Sequence, residues 1–190
     1  ILIFAQNRAM TLIKSISGIR GTIGGSVGDN LTPLDVVKFA SAYGMWLKSR
    51  ATGSLKVVVG RDARISGAMV QNLVQCSLQA LGIDVVDLGL STTPTVEVAV
   101  PLENANGGII LTASHNTKQW NALKLLNEKG EFVSAEDGGI ILDTAEKEAF
   151  DFAQVDDLGT SEKKDYLQKH IDAVLALSPV DVELVSAANF

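Results

Sequence analysis

The run Lys56-Val57-Val58-Val59-Gly60, a polar turn Arg61-Asp62-Ala63-Arg64-Ile65, a helical stretch over 66–81, Gly82, and then Ile83-Asp84-Val85-Val86-Asp87-Leu88-Gly89 together decide the fold class. The two flanking runs are short, continuously apolar and rich in β-branched residues, which is the pattern of strands buried on both faces of a parallel sheet. Between them Met69, Leu73, Cys76 and Leu81 recur on related helical faces, and Gly82 stands where a helix C-cap belongs.

The alternation continues outward. Gly108-Ile109-Ile110-Leu111-Thr112 reads as a third buried strand, Leu12–Ile16 as a strand near the start, and Trp120–Leu126 as one with alternating faces. Thr32-Pro33-Leu34-Asp35 is a helix start, with Thr as N-cap, Pro in the first turn and Asp three residues after the cap. Val36, Val37, Ala40, Tyr43 and Leu47 follow at helical spacing. Pro94 opens a shorter helix, Thr95–Leu102, and Ser134-Ala135-Glu136-Asp137 repeats the capping signature before a helix to about residue 149. Asn127–Glu131 reads as a hairpin turn. The expected architecture is a three-layer α/β/α domain with a mostly parallel mixed sheet.

The chain ends differ from this body. Met10 directly precedes the first strand, so residues 1–9 read as a non-native leader and 10–150 as the domain. Residues 151–164 are polar, acidic and without periodicity, and read as a linker. Residues 165–190 read as a helix, with Tyr166, Leu167, Ile171, Val174 and Leu175 on one side, leading into the start of a second domain.

Composition bounds the function. The chain has 190 residues, 46% hydrophobic and 20% charged, as in an ordinary globular domain, and its net charge of -6 argues against nucleic acid as the main partner. An acidic surface still accepts a small phosphorylated ligand if a few cations are placed for it. One cysteine, Cys76, permits neither an intrachain disulfide nor a cysteine metal site, and reads as a small buried residue of a helix; this usage fits a cytoplasmic location. No apolar run approaches a membrane span.

Four segments could carry chemistry, three of them at strand ends, where open α/β sheets bind ligands. In Ser17-Gly18-Ile19-Arg20-Gly21-Thr22, two glycines allow a tight turn and Arg20 offers a fork of donors suited to phosphate; a flexible turn with a solvated Arg is the equal alternative. In Gly60–Gly67, Asp62 and Arg64 suit an internal salt-bridge network better than an anion site. In Thr112-Ala113-Ser114-His115-Asn116, a buried strand runs into an exposed serine beside an imidazole, although an ordinary polar turn has the same composition. The Gly-x-Ser-x-Gly elbow of a serine hydrolase is absent. In Trp120-Asn121-Ala122-Leu123-Lys124, alternation sets Lys124 on the face opposite Leu123 and Leu125, toward either the serine or water.

Thr112–Asn116 followed by Asn121-Ala122-Leu123-Lys124 resembles the phosphoserine loop of the α-D-phosphohexomutases, the superfamily of phosphoglucomutases, phosphomannomutases and phosphoglucosamine mutases. Ser17–Gly21 and Gly60–Gly67 also resemble that family's first domain, in the same order, so the likeness covers about residues 12–150. The resemblance implies a catalytic set of Ser114, His115, Lys124 and Arg20. Ser114 would carry the transferable phosphoryl group, with Asn116, Arg20 and Lys124 around the phosphate. It implies Mg²⁺ bound through the Ser114 phosphate and through aspartates of an Asp-Gly-Asp-Gly-Asp loop that this sequence lacks. It further implies a hexose or hexosamine phosphate substrate, a hexose 1,6-bisphosphate primer, and further domains of the same enzyme as partners. Two positions depart from the family pattern: Thr117 stands where Pro is usual and Ala122 where Gly is usual. The competing reading is a non-catalytic anion- or nucleotide-binding α/β module, though no Gly-x-Gly-x-x-Gly or P-loop pattern supports one.

Overall fold

A computed structural model describes residues 10–15 and 18–188. The leader assigned to residues 1–9 and the Ile16 end of the first strand lie outside them.

The elements run β1 (Ile13–Ser15), β2 (Gly18–Thr22), α1 (Pro33–Arg50), β3 (Leu55–Arg61), α2 (Gly67–Ala80), β4 (Ile83–Leu90), α3 (Thr93–Leu102), β5 (Gly107–Leu111), β6 (Trp120–Leu126), α4 (Ala135–Lys147), β7 (Ser161–Lys163), α5 (Leu167–Leu175) and α6 (Val182–Ala188). The strands form one seven-stranded sheet in the order β1-β2-β6-β5-β3-β4-β7. Pairings β5–β3, β3–β4 and β4–β7 are parallel, while β1–β2, β2–β6 and β6–β5 are antiparallel. The sheet is therefore mixed, with a parallel half and an antiparallel half meeting at β5.

Alternation along the central strands divides the core into two layers. Val57, Val59, Val85, Ile109, Leu111, Leu123 and Leu125 pack with α1, α2 and α4. Val58, Val86, Ile110 and Leu126 pack with Val96, Ala99 and Val100 of α3 on the other face. Helices on both faces make the three-layer α/β/α arrangement, and explain why β3 and β5 read as unbroken apolar runs.

The helix starts form where their caps are. Thr32 accepts from the Asp35 amide at 3.4 Å while the Asp35 carboxylate accepts from the Thr32 amide at 3.1 Å, a complete capping box ahead of Pro33. Ser134 caps α4 by accepting from the Asp137 amide at 3.1 Å. Gly82, at φ +77°, follows the C-cap of α2.

The structure corrects two readings. Cys76 is exposed, not buried. The buried face of α2 is Val70, Gln71, Val74, Ser77 and Leu78, and Cys76 lies two residues, about 200° of helix, beyond Val74. The apolar positions of α2 fit two phases, and the buried phase contains two polar residues whose needs are met inside. Gln71 binds Arg61 Nε at 2.7 Å and the Asp87 carboxylate, and Ser77 donates to the Leu73 carbonyl at 2.7 Å.

The second correction concerns the segment read as a linker. Residues 161–163 form β7, the sheet's edge strand beside β4. Gly159 donates to the Gln79 carbonyl at 2.9 Å, and Thr160 donates to Asp84 Oδ1 through its amide at 2.8 Å and its hydroxyl at 2.7 Å. An edge strand with both faces solvated has no apolar alternation to signal it.

Tyr166 is buried beneath α3, but Leu167, Ile171, Val174 and Leu175 of the expected apolar side stay exposed. Around Tyr166 is a polar knot. The carboxylate of Glu103, whose side chain is 8% exposed, accepts from Lys164 Nζ at 2.8 Å, from Lys56 Nζ at 3.5 Å and from the Tyr166 hydroxyl. Burial pulls the Glu103 carboxyl upward. Hydrogen bonds from Lys164 and Tyr166, and the charges of Lys164 and Lys56, outweigh it and hold the group at about 2, below its ordinary 4.5. Because the folded-state value is depressed, this stabilisation is full above pH 4.5 and is lost as pH falls toward about 2. Glu103→Gln is expected to cost ~1–3 kcal/mol at pH 7, read as a lower urea midpoint. The loss of stability of wild type between pH 4.5 and 2 should be shallower in the variant.

Candidate active site around Ser114

The strand β5 is buried along its whole length and is followed by Thr112 and Ala113, also buried; the next residue, Ser114, is exposed. Ser114 has φ +53°, a left-handed conformation uncommon outside glycine and costing ~1 kcal/mol. Its amide donates to Thr112 Oγ1 at 3.0 Å, and the Asn116 amide donates to the Ala113 carbonyl at 3.0 Å, closing the turn.

Arg64, from the loop between β3 and α2, reaches across to this turn. Its Nη2 donates to the carbonyls of Ser114 and Asn116, each at 2.9 Å, and its Nη1 to those of Thr117 at 2.9 Å and Trp120 at 3.0 Å. Asp62 holds Arg64 in turn, accepting from its Nε at 3.1 Å and from its amide at 3.0 Å. Asp62 and Arg64 are thus an internal network bound to the serine turn.

Beside the turn is a cavity of about 320 Å³. All five residues singled out in the sequence, Arg20, Ser114, His115, Asn116 and Lys124, line it. Strand pairing explains the convergence. Arg20 of β2 is directly opposite Ala122 of β6, and Lys124 is two residues further on, so all three share a face. The other face carries Ile19, Leu123 and Leu125 into the core. The helix α3 covers β3 and β5, and the Arg20–Ala122–Lys124 strip faces the cavity instead.

The electrostatics are one-sided. Two cations line the cavity and no carboxylate does. Among the described residues the Arg20 side chain makes no hydrogen bond or ion pair. Lys124 has only the ring of Phe132, whose centroid is 5.7 Å from Nζ. In an acidic chain, a cavity with unpaired cations beside an exposed hydroxyl suits an anionic ligand.

Several details differ from expectation. Gly18 and Gly21 do not make a turn around Arg20; both lie in β2. Gly18 is needed for close approach, since at φ +124° a Cβ there would sit 2.1 Å from the Leu123 carbonyl oxygen. Ala122 needs no positive φ: it is extended in β6 and lines the cavity. Thr117 accepts from Arg64 through a backbone carbonyl, a contact its side chain does not affect.

Gly18, read from the sequence as a turn glycine, also lines the cavity, as do Ser15 and Phe132, which had no sequence signal. Phe132 arrives by the return of the chain after the Asn127–Glu131 turn, in an antiparallel bridge to Leu126. Asn121, fully buried, donates to Ser66 Oγ at 2.9 Å and ties β6 to the start of α2. Among the described residues no group of three His, Cys, Asp or Glu side chains is placed to hold a metal ion.

The family model "Phosphoglucomutase/phosphomannomutase, alpha/beta/alpha domain I" matches residues 12–152. The chain belongs to this family. It is 35% identical over 167 residues to a phosphoglucomutase/phosphomannomutase of Thermococcus kodakarensis, covering 87% of this chain and 36% of that protein. It is 31% identical over 175 residues to a phosphoglucosamine/phosphogalactosamine mutase of Sulfurisphaera tokodaii, covering 91% and 36%. A phosphomannomutase candidate from Thermus thermophilus superposes with TM-score 0.77 at 28% identity, over 94% of this chain and 38% of that one. The fold is shared with a phosphoglucomutase/phosphomannomutase family protein of Burkholderia thailandensis at TM-score 0.71 and 23% identity, over 86% and 35%. The chain therefore spans about a third of the length of the relatives it matches.

Two substitutions test the strand geometry of the site. Gly18→Ala is expected to lower stability by ~2–4 kcal/mol, because the Cβ meets backbone and φ is unfavourable. Ala122→Gly is expected to lose ~1 kcal/mol, with no gain from added freedom. Chemical denaturation of both variants measures the difference.

Proposed function

We propose that the chain is the phosphoserine-bearing domain of a phosphohexomutase, an intramolecular phosphotransferase that interconverts the 1- and 6-phosphates of a hexose or hexosamine. The observation that carries this reading is the exposed Ser114 hydroxyl at the carboxyl end of β5, in a carboxylate-free cavity that Arg20 and Lys124 also line. Family membership supports it. By this reading, residues 10–150 are the catalytic domain and 165–190 lead to further domains of the same enzyme. The single cysteine and the lack of any described helix able to cross a membrane are compatible with a cytoplasmic enzyme.

Phosphoryl transfer asks for positioning and for neutralisation of charge spread over the phosphoryl oxygens. The bond between phosphorus and Ser114 Oγ breaks as a sugar hydroxyl attacks in line, giving a hexose bisphosphate and the free serine. Arg20 and Lys124 neutralise the moving phosphoryl group, and the Asn116 side-chain amide donates a hydrogen bond to it. His115 takes the proton of the attacking hydroxyl, and the departing Ser114 Oγ takes one from the Lys124 ammonium. After the bisphosphate turns over, its other phosphate returns to Ser114. Free hexose 1,6-bisphosphate primes an unphosphorylated serine by the same reverse step.

Mg²⁺ is the cofactor this family reading implies, and among the described residues no cluster of His, Cys, Asp or Glu forms a site for it. The phosphate on Ser114 would be its contact in this domain, so no step is assigned to the ion. The isolated chain is accordingly expected to show no mutase turnover.

The test is intact mass and peptide mapping of the enzyme carrying this domain, with and without a hexose 1,6-bisphosphate. One added phosphate is expected on the peptide containing Ser114. Ser114→Ala should abolish both the label and activity. Near-normal activity in that variant would sink the assignment and leave an anion-binding module.

A further inference from the structure

Arg64 is not among the groups that line the cavity, yet it donates more hydrogen bonds to the serine turn than any other side chain. A guanidinium has five N–H donors in one plane. Here all of them are used: one on Asp62 Oδ2 and four on the carbonyls of Ser114, Asn116, Thr117 and Trp120, at 2.9–3.1 Å. Nothing is left over to bind a ligand, which separates Arg64 from Arg20, whose side chain has no partner among the described residues.

We propose that Arg64 is the positioning residue for the Ser114 nucleophile: by gathering the four carbonyls of the serine turn it holds Ser114 in its left-handed conformation and so aims Oγ at the cavity. The proposal rests on the reading of Ser114 as the phosphate carrier. Four carbonyl dipoles directed at one point repel unless a cation with matching donors stands there. Ser114 at φ +53° is a conformation that an L residue leaves unless its surroundings hold it. The turn's own hydrogen bonds restrain the amides of Ser114 and Asn116, whereas their carbonyls are restrained by Arg64. Without the guanidinium the turn is free to relax to negative φ, and Oγ leaves the line between substrate and cations. Lysine offers three donors on a point charge and no planar fork, so it replaces this function only in part.

The test compares wild type, Arg64→Ala and Arg64→Lys by NMR of the labelled chain. In Arg64→Ala the Ser114 and Asn116 amides should exchange about tenfold faster or more, and Ser114 carbon shifts should leave their left-handed values. The Val36 amide in α1 should keep its protection. Millimolar methylguanidinium should restore the wild-type turn, and Arg64→Lys should fall between. Wild-type shifts and protection at Ser114 in Arg64→Ala overturn the proposal, as does a loss shared equally by α1. If Arg64→Ala does not fold, Arg64→Lys decides, and wild-type Ser114 shifts in it overturn the proposal.

A second readout separates this idea from the functional reading. With phosphoserine installed at Ser114, ³¹P titration gives the second phosphate pKa, ordinarily about 6. Arg20 and Lys124 should lower it in wild type, Arg64→Ala should return it toward the ordinary value, and methylguanidinium should lower it again. No depression in wild type overturns Ser114 as the phosphate site, while the exchange result still judges Arg64. Equal depression in wild type and Arg64→Ala overturns the positioning role.

Discussion

The arrangement depends on the close packing of β5 between a parallel and an antiparallel neighbour. Gly107 and Gly108 open the strand because nothing larger fits: a Cβ on Gly107 would sit 2.1 Å from the Tyr43 hydroxyl, and one on Gly108 would sit 2.7 Å from Val100. Tyr43 crosses from α1 to donate to the Leu126 carbonyl at 2.7 Å, fixing β6 against the helix layer. Burial pushes the Tyr43 phenol well above its ordinary value, so this donor keeps its proton. With β5 held on both sides, its carboxyl end emerges at one defined place, and that place is Ser114.

Everything in the site is reached from that strand. On the β3 side, the parallel pairing brings Asp62 and Arg64 level with the end of β5, and the Asp62 amide donates to the Leu111 carbonyl at 3.1 Å. On the β6 side, the antiparallel return brings Lys124 back beside the strand it follows, and β2 adds Arg20. A purely parallel sheet would carry the chain away through a crossover helix. The short return from Ser114 to Trp120 keeps the serine and the lysine in one cavity.

The charge pattern separates structure from chemistry. Arg61, Asp62, Arg64, Glu103 and Lys164 are cross-linked by hydrogen bonds that satisfy them within the fold. Among the described residues Arg20 and Lys124 have no acidic partner, and no carboxylate lines their cavity. Ions tied into networks stabilise loops, whereas unpaired cations in a concave site cost stability until an anion arrives. The relatives at 31–35% identity share the family while their names differ in the sugar phosphate.

The helix starts, the buried strands and the serine turn were legible in the amino-acid order alone. Their signals are local: the Thr32–Asp35 box, the glycine after α2 and the apolar runs of β3, β4 and β5 act through neighbours in the chain. Long-range pairing settled what local signals cannot carry. Whether Lys124 faced Ser114 or water depended on pairing with β2 and β5, contacts far apart in sequence. The face of α2 that is buried, and so the exposure of Cys76, depended on partners that could satisfy Gln71 and Ser77. β7 is a strand because the edge of β4 offers it hydrogen bonds, and its own residues have no alternation to announce it. Arg64 read as part of a salt-bridge loop. Only the fold could show that the carbonyls it binds belong to residues 50 to 56 positions away, in the turn that holds Ser114.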